Sequence, residues 1–209
     1  MPLLFVATTN RDKLREIKTI MADRPVSLRS LADFPAVPEP DEPGATFEEN
    51  ARIKALYYDA RLGPAVRVLD AGALTVAEDS GLVVDALGGE PGVRSARFVS
   101  PDASYEERFA EIYRRLAVEP DAPRDARFVC ALAVVHQGQV VFETTRTVEG
   151  TIAEAPSGTA GFGYDPILFY PPYNATLADV SQEEKLRVAH RGAALRALAT
   201  WLERSSRPS

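Results

Sequence analysis

The sequence predicts an α/β protein built on a mixed β-sheet flanked by helices. Apolar runs such as "LLFVA" and "ALTVA" alternate with segments whose apolar residues recur three and four apart, the spacing of one helix face. The runs "ARFVCALAVV" and "QVVFETTRTV" meet at Gln137-Gly138 and read as an antiparallel hairpin. A hairpin set among alternating strands and helices makes the sheet mixed.

Leu3 to Ala7 reads as a buried strand, and Arg11 to about Ala22 as a helix with Leu14, Ile17, Ile20 and Met21 on one face. The stretch "FPAVPEPDEPG" is too rich in proline for a helix or a central strand. Thr46 and Glu49 form a capping box that opens a helix to about Leu62, and residues 63 to 73 read as a loop extension. "ALTVA" is a strand ending at Glu78-Asp79-Ser80-Gly81, "LVVDAL" continues as a second strand, and "GGEPG" is a turn. Ser104 to Leu116 is helical, with Phe109, Ile112, Tyr113 and Leu116 at helical spacing. "SGTAGFGYDP" is a glycine-rich loop, followed by a short strand from Ile167 to Phe169. Ser181 and Glu184 form another capping box, opening a final helix to about Glu203 with Leu195, Leu198 and Leu202 toward the core. The tail "ERSSRPS" is expected to fray, and His136, at the hairpin turn, to be solvated.

Bulk properties exclude several classes. A chain of 209 residues, 45% of them hydrophobic, is long enough for one domain, simple or two-lobed, with a substantial core. A net charge of -6 and a pI near 5.1 argue against a nucleic-acid polymer as partner, while leaving a small anion open. Cys130 is the only cysteine, so neither an intrachain disulfide nor a cysteine-based zinc site is expected, which suits a reducing cytoplasm. No apolar run approaches the roughly 18 residues of a membrane span, and "MPLLFVA" lacks the charged segment of a signal peptide.

Five stretches carry candidate chemistry, and each also has a plain structural reading. At Thr8 to Lys13 a strand runs into a helix whose first turn carries Arg11 and Lys13, against the helix dipole. Free N–H groups and Lys13 suit a phosphate; alternatively Asn10 or Thr9 caps the helix and the cations are solvated. The loop with Glu39, Asp41 and Glu42 offers oxygens to a hard cation such as magnesium, or is merely an acidic surface; Asn50 and Lys54 share a face of the helix that follows. Glu78 and Asp79 close an apolar strand, where α/β sheets gather their ligand sites, and suit a metal or a proton acceptor as well as a polar β-turn. Phe162 and Tyr164 lie between glycines, where a ring can stack on a base and Asp165 can accept from a base N–H; equally, the aromatics can fill the core. Lys185, His190 and Arg191 lie on the last helix, where the His190-Arg191 pair suits a base carbonyl or plain surface.

Taken in order, "ATTNRDKLREI", "TFEENARIKA", "EDSGLVVDALGGEPGVRSARF", "GTAGFGYDPIL" and "EEKLRVAHRGAAL" resemble the inosine triphosphate pyrophosphatase family across Ala7 to Leu195. The resemblance implies one domain over residues 1 to 209, an elongated mixed sheet with two lobes around a central cleft, and a homodimer. It implies magnesium-dependent hydrolysis of ITP, dITP and XTP to monophosphate and pyrophosphate. By matching position, Thr8, Thr9, Asn10, Lys13 and Lys54 would bind the phosphates, and Ser80 would touch substrate. Glu42, Asp79 and Glu78 would hold the metal, and Asp79 would also accept the proton. Phe162, Gly163, Tyr164, Asp165, Lys185, His190 and Arg191 would form the base pocket, with Arg191 or His190 donating to the purine 6-carbonyl. Departures are Glu78 where aspartate is frequent, Ala189 where serine is frequent, Thr9 where glycine is common, and a longer 63–73 segment. A Maf-type pyrophosphatase is the nearest rival, against which "FGYDP" and "HRG" stand. A nucleotide sensor without catalysis is the alternative from another class, against which Asp79, Glu42 and Lys13 stand.

Overall fold

A computed structural model describes residues 1–205. Its elements, in chain order, are β1 (Leu3–Val6), α1 (Arg11–Met21), β2 (Ser27–Ser30), α2 (Phe47–Leu69), β3 (Leu74–Val84), α3 (Tyr105–Leu116), β4 (Asp125–His136), β5 (Gln139–Ile152), β6 (Leu168–Tyr170), β7 (Ala175–Thr176), α4 (Gln182–Val188) and α5 (His190–Ser205). The strands form one seven-stranded sheet in the order β2-β1-β3-β4-β5-β6-β7. β1 runs parallel to β2 and β3, whereas β6 is antiparallel to β5 and β7, so the sheet is mixed as predicted.

The chain divides into two compact units. The first comprises Met1–Asp79, Cys130–Arg146 and the chain from Arg191. Its core joins Leu4, Val6 and Val76 from the sheet with Ile17 and Met21 of α1 and Leu195, Leu198 and Leu202 of α5. The second comprises Ser80–Val129 and Thr147–His190. Its core joins Phe109, Ile112 and Leu116 of α3 with Phe128, Ile152, Tyr164 and Leu168. Most of the helical positions predicted to face inward are buried, because apolar side chains three and four apart make one stripe that the sheet covers.

Four local expectations are corrected. α2 does not stop near Leu62; it continues through Pro64 to Leu69, absorbing most of the supposed loop. Leu62 and Val66 are buried, and Arg67 reaches back to Asp59 at 2.9 Å across the proline turn. A Cβ at Gly63 would stand 2.7 Å from Asp59 Oδ1 and 2.8 Å from Arg67 Nη1, so glycine leaves room for that pair. Asp59 also accepts from Thr75 Oγ1 and the Gly138 amide, tying α2 to β3 and the hairpin turn. β3 is one strand through Glu78-Asp79-Ser80-Gly81 rather than two, because both acids find partners while the backbone stays extended. The last helix is two: Ala189 leaves helical geometry at φ -62, ψ 149, separating α4 from α5. His136 is half-buried, with Nδ1 3.1 Å from the Ala73 carbonyl, and not solvated. β2 was not anticipated. Of the tail, Glu203 to Ser205 belong to α5, and residues 206–209 lie outside those described.

Candidate active site

In the first unit, β1 runs into α1 through Thr8, Thr9 and Asn10. Asn10 is the N-cap: its side chain accepts from the amides of Asp12 and Lys13, at 2.9 and 3.0 Å. Thr8 Oγ1 accepts from the Asn10 amide, and Thr9 is exposed. The capping reading of this turn therefore holds, and two of the amides considered for an anion are engaged by Asn10. Lys13 turns inward, with Nζ 3.5 Å from Glu78 Oε1; Arg11 is exposed.

α2 begins on the predicted Thr46–Glu49 capping box and carries Asn50 and Lys54 one turn apart. Lys54 Nζ lies 2.8 Å from Asp79 Oδ1 and 3.0 Å from Glu42 Oε2. Burial disfavours the charged form of Lys54, but Asp79 and Glu42 outweigh it and hold its pKa above the ordinary value. Asn50 is fully buried. It accepts from the Gly44 amide at 2.8 Å and approaches Asp79 Oδ2 at 3.4 Å, so one side chain links the Glu42 loop to β3. Tyr57 donates to the Pro38 carbonyl at 2.8 Å and tethers the other end of that loop. Glu39 and Asp41 are exposed.

Successive strand residues face opposite sides of a sheet, and the partners of Glu78 and Asp79 separate accordingly. Arg191 Nε donates to both oxygens of Glu78, at 2.8 and 3.0 Å, and Arg191 Nη1 donates to Glu16 Oε2 at 2.5 Å. The Cys130 thiol donates to Glu78 Oε2 at 2.9 Å. Burial would raise the pKa of Glu78, but Arg191 and Lys13 reverse that and hold it well below the usual carboxylate range. Both oxygens being engaged in this way, Glu78 anchors Arg191 and Lys13. Arg191 belongs to the first unit and bonds both carboxylates, Glu78 and Glu16.

In the second unit the glycine-rich loop wraps Asp165. The Phe162 amide donates to Asp165 Oδ2 at 2.8 Å, and Lys185 Nζ lies 2.5 Å from the same oxygen. Gly161 has φ +74, and a Cβ there would overlap Asp165 Oδ2, so the loop closes only around glycine. The Lys185 ammonium stands 4.8 Å from the centroid of the half-buried Phe162 ring, a cation–π arrangement. Tyr164 follows the second of the two readings of this loop, in which the aromatics fill the core. Its ring is buried edge-on to Tyr105, its hydroxyl donates to the Ser95 carbonyl at 2.9 Å, and burial raises its pKa; it is a core residue. His190 is buried against Phe128, with ring centroids 5.1 Å apart. Ser80 and Gly163 are half-buried.

The profile of the Ham1 family matches residues 4–201. The chain belongs to the Ham1 family. It is 44% identical to the dITP/XTP pyrophosphatase of Geobacillus kaustophilus, over 93% of this chain and 91% of that one. It is 43% identical to the dITP/XTP pyrophosphatase of Geobacter sulfurreducens, over 97% of each. Among solved structures, a HAM1 protein from Coxiella burnetii superposes with a TM-score of 0.86 at 33% identity, covering 98% of this chain and all of that one. The nucleoside-triphosphatase/dITP/XTP pyrophosphatase of Mycobacterium abscessus superposes at 0.72 with 40% identity, covering 94% and 98%. The inosine triphosphate pyrophosphatase resemblance drawn from the five motifs is thus borne out.

Within this Ham1-family chain, no group of three or more His, Cys, Asp and Glu side chains converges as a metal cage among the described residues. Glu42 and Asp79 do converge on one cationic atom, the Lys54 ammonium. Two carboxylates suit magnesium, which keeps several waters and completes its octahedron with substrate phosphate. Two participants, Glu16 and Cys130, escaped the sequence reading, as did the bridging role of Asn50. Glu16 is an acid within the buried stripe of α1, a visible signal. Asn50 shared a visible face with Lys54, but nothing there showed that it would bridge to Gly44 and Asp79. Cys130 had no signal, because its acid partner comes from another strand.

Proposed function

We propose that this protein hydrolyses non-canonical purine nucleoside triphosphates (ITP, dITP and XTP) to the monophosphate and pyrophosphate, with magnesium as cofactor. The observation that carries the reading is the convergence of Asp79 and Glu42 on a single cation position beside a second lysine-bearing helix start. The names of the relatives support the substrate class.

Glu42 and Asp79 would hold magnesium, which when bound offsets charge on the phosphate oxygens. Asp79 accepts the proton of the attacking water; the new bond forms to the α-phosphorus and the α–β anhydride bond breaks, releasing pyrophosphate. Lys13 and Lys54 stabilise the leaving pyrophosphate, and Thr8, Thr9, Asn10 and Ser80 contact the triphosphate end. Glu78 and Arg191 position Lys13 from behind.

Phe162 offers its ring to the purine, and His190 and Gly163 border the base. Asp165 holds the Lys185 ammonium over that ring, so Lys185 is the donor assigned to the 6-carbonyl of hypoxanthine or xanthine. Adenine presents an amino group there, and the resulting unpaired, desolvated donors cost about 1–3 kcal/mol. The same reading makes the protein a cytoplasmic homodimer; among the described residues no helix is long and apolar enough to cross a membrane.

Incubation with magnesium and a panel of ITP, XTP, dITP, dTTP, UTP and ATP tests the proposal. Pyrophosphate released selectively from the first three supports it. A preference for dTTP or UTP would point to the Maf type, and no turnover of any nucleotide would point to a sensor.

A further inference from the structure

We propose that Lys54 and the divalent cation compete for the Glu42–Asp79 carboxylate pair, so that the metal enters as Lys54 moves onto a phosphate of the nucleotide. The inference rests on reading Glu42 and Asp79 as the metal pair.

The geometry already places one cation on the carboxylate pair. Lys54 Nζ bonds one oxygen of each carboxylate, at 2.8 and 3.0 Å, and its side chain is largely buried. A dication drawing on those same oxygens would meet the ammonium at close range, and like charges in a partly buried site repel strongly. The two carboxylates together carry two negative charges, which one ammonium half-compensates. Movement of the lysine frees the site: the ammonium sits on a flexible four-carbon stem with rotatable donors. A triphosphate offers that ammonium another anionic partner, and the pair is then released to the metal. Asn50 stays on Asp79 through this exchange, because its own anchor is the Gly44 backbone. Metal and nucleotide therefore bind cooperatively, and metal alone binds weakly.

The test is titration of the full-length protein with manganese alone, followed by calorimetry, beside thermal melts in EDTA and in magnesium. Lys54→Met, which keeps the unbranched shape at one atom shorter and removes the charge, is expected to bind manganese at least tenfold more tightly than the parent. It should also melt lower in EDTA, where two carboxylates face each other, and gain more from magnesium than the parent does. Equal or weaker metal affinity in the variant overturns the exchange. Should Lys54→Met fail to fold, Lys54→Gln, which retains a donor for the carboxylates, is read in the same way. Adding Asp79→Asn to the variant separates the two levels. If the tight manganese binding disappears, the metal is on the pair and the exchange stands. If it persists, the metal lies elsewhere, and the assignment of Glu42 and Asp79 falls together with the exchange. If Asp79→Asn weakens binding in the parent while Lys54→Met changes nothing, only the exchange falls.

Discussion

Arg191 grips Glu78 with one nitrogen, its Nε lying 2.8 and 3.0 Å from the two carboxylate oxygens, while a second nitrogen holds Glu16. All three side chains are buried, Arg191 at 2% exposure and Glu16 at 0%. Removing one member of such a set leaves the others charged and desolvated. Arg191→Met should therefore lower the unfolding free energy by about 3–5 kcal/mol. Urea denaturation checks it; a loss of about 0.5 kcal/mol, typical of a surface substitution, would contradict the assignment.

Asn50 holds the Glu42 loop through the Gly44 amide and touches Asp79. Asn50→Ala leaves the Gly44 amide without that acceptor and loosens the loop that carries Glu42. A loss of about 1–3 kcal/mol is expected, with a fall in kcat larger than any change in Tm alone accounts for. Steady-state kinetics at a temperature well below the melt of the variant makes the comparison; unchanged kcat would show that the loop needs no such anchor.

Asp79→Asn keeps the size of the side chain and removes the proposed proton acceptor. Turnover should fall by about 10²–10⁴-fold, while circular dichroism still shows a folded protein. Near-parental turnover would remove Asp79 from the chemistry.

Cys130 is buried, and burial together with the Glu78 carboxylate raises its pKa well above the ordinary thiol value. The native protein should resist a thiol reagent and be labelled fully on unfolding. The folded pKa is raised, so the folded state holds its proton longer. The corresponding stability is present below the unfolded thiol pKa of about 8.5 and is lost as pH rises beyond it. Rapid labelling of the native protein would contradict the buried contact.

Local signals were the legible part of this chain. Thr46–Glu49 and Ser181–Glu184 cap helices as their spacing predicts, because both partners lie within one turn. The Gly63-Pro64 pair misled for the opposite reason: it reads as a helix breaker, whereas the burial of Val66 and the Arg67–Asp59 pair, seen only in the fold, accompany the continuation of α2. The adjacent acids Glu78 and Asp79 both read as candidates for a metal or a proton. The pleat of a continuous β3 sends them to different partners, and strand continuity is set by contacts that spacing does not display. Tyr164 sat in a motif of exposed-looking glycines, yet its ring completes a core built from α3. Ala189 breaks the last helix although alanine favours helix, so that break is a tertiary effect invisible to propensity.

Which phosphorus the water attacks is the most direct measure of the mechanism. Hydrolysis of ITP in oxygen-18 water, followed by mass spectrometry of both products, reads it in one experiment. The label should appear in inosine monophosphate, with unlabelled pyrophosphate as the other product. Label in pyrophosphate, or release of orthophosphate, would contradict attack at the α-phosphorus and with it the roles given to Asp79, Lys13 and Lys54.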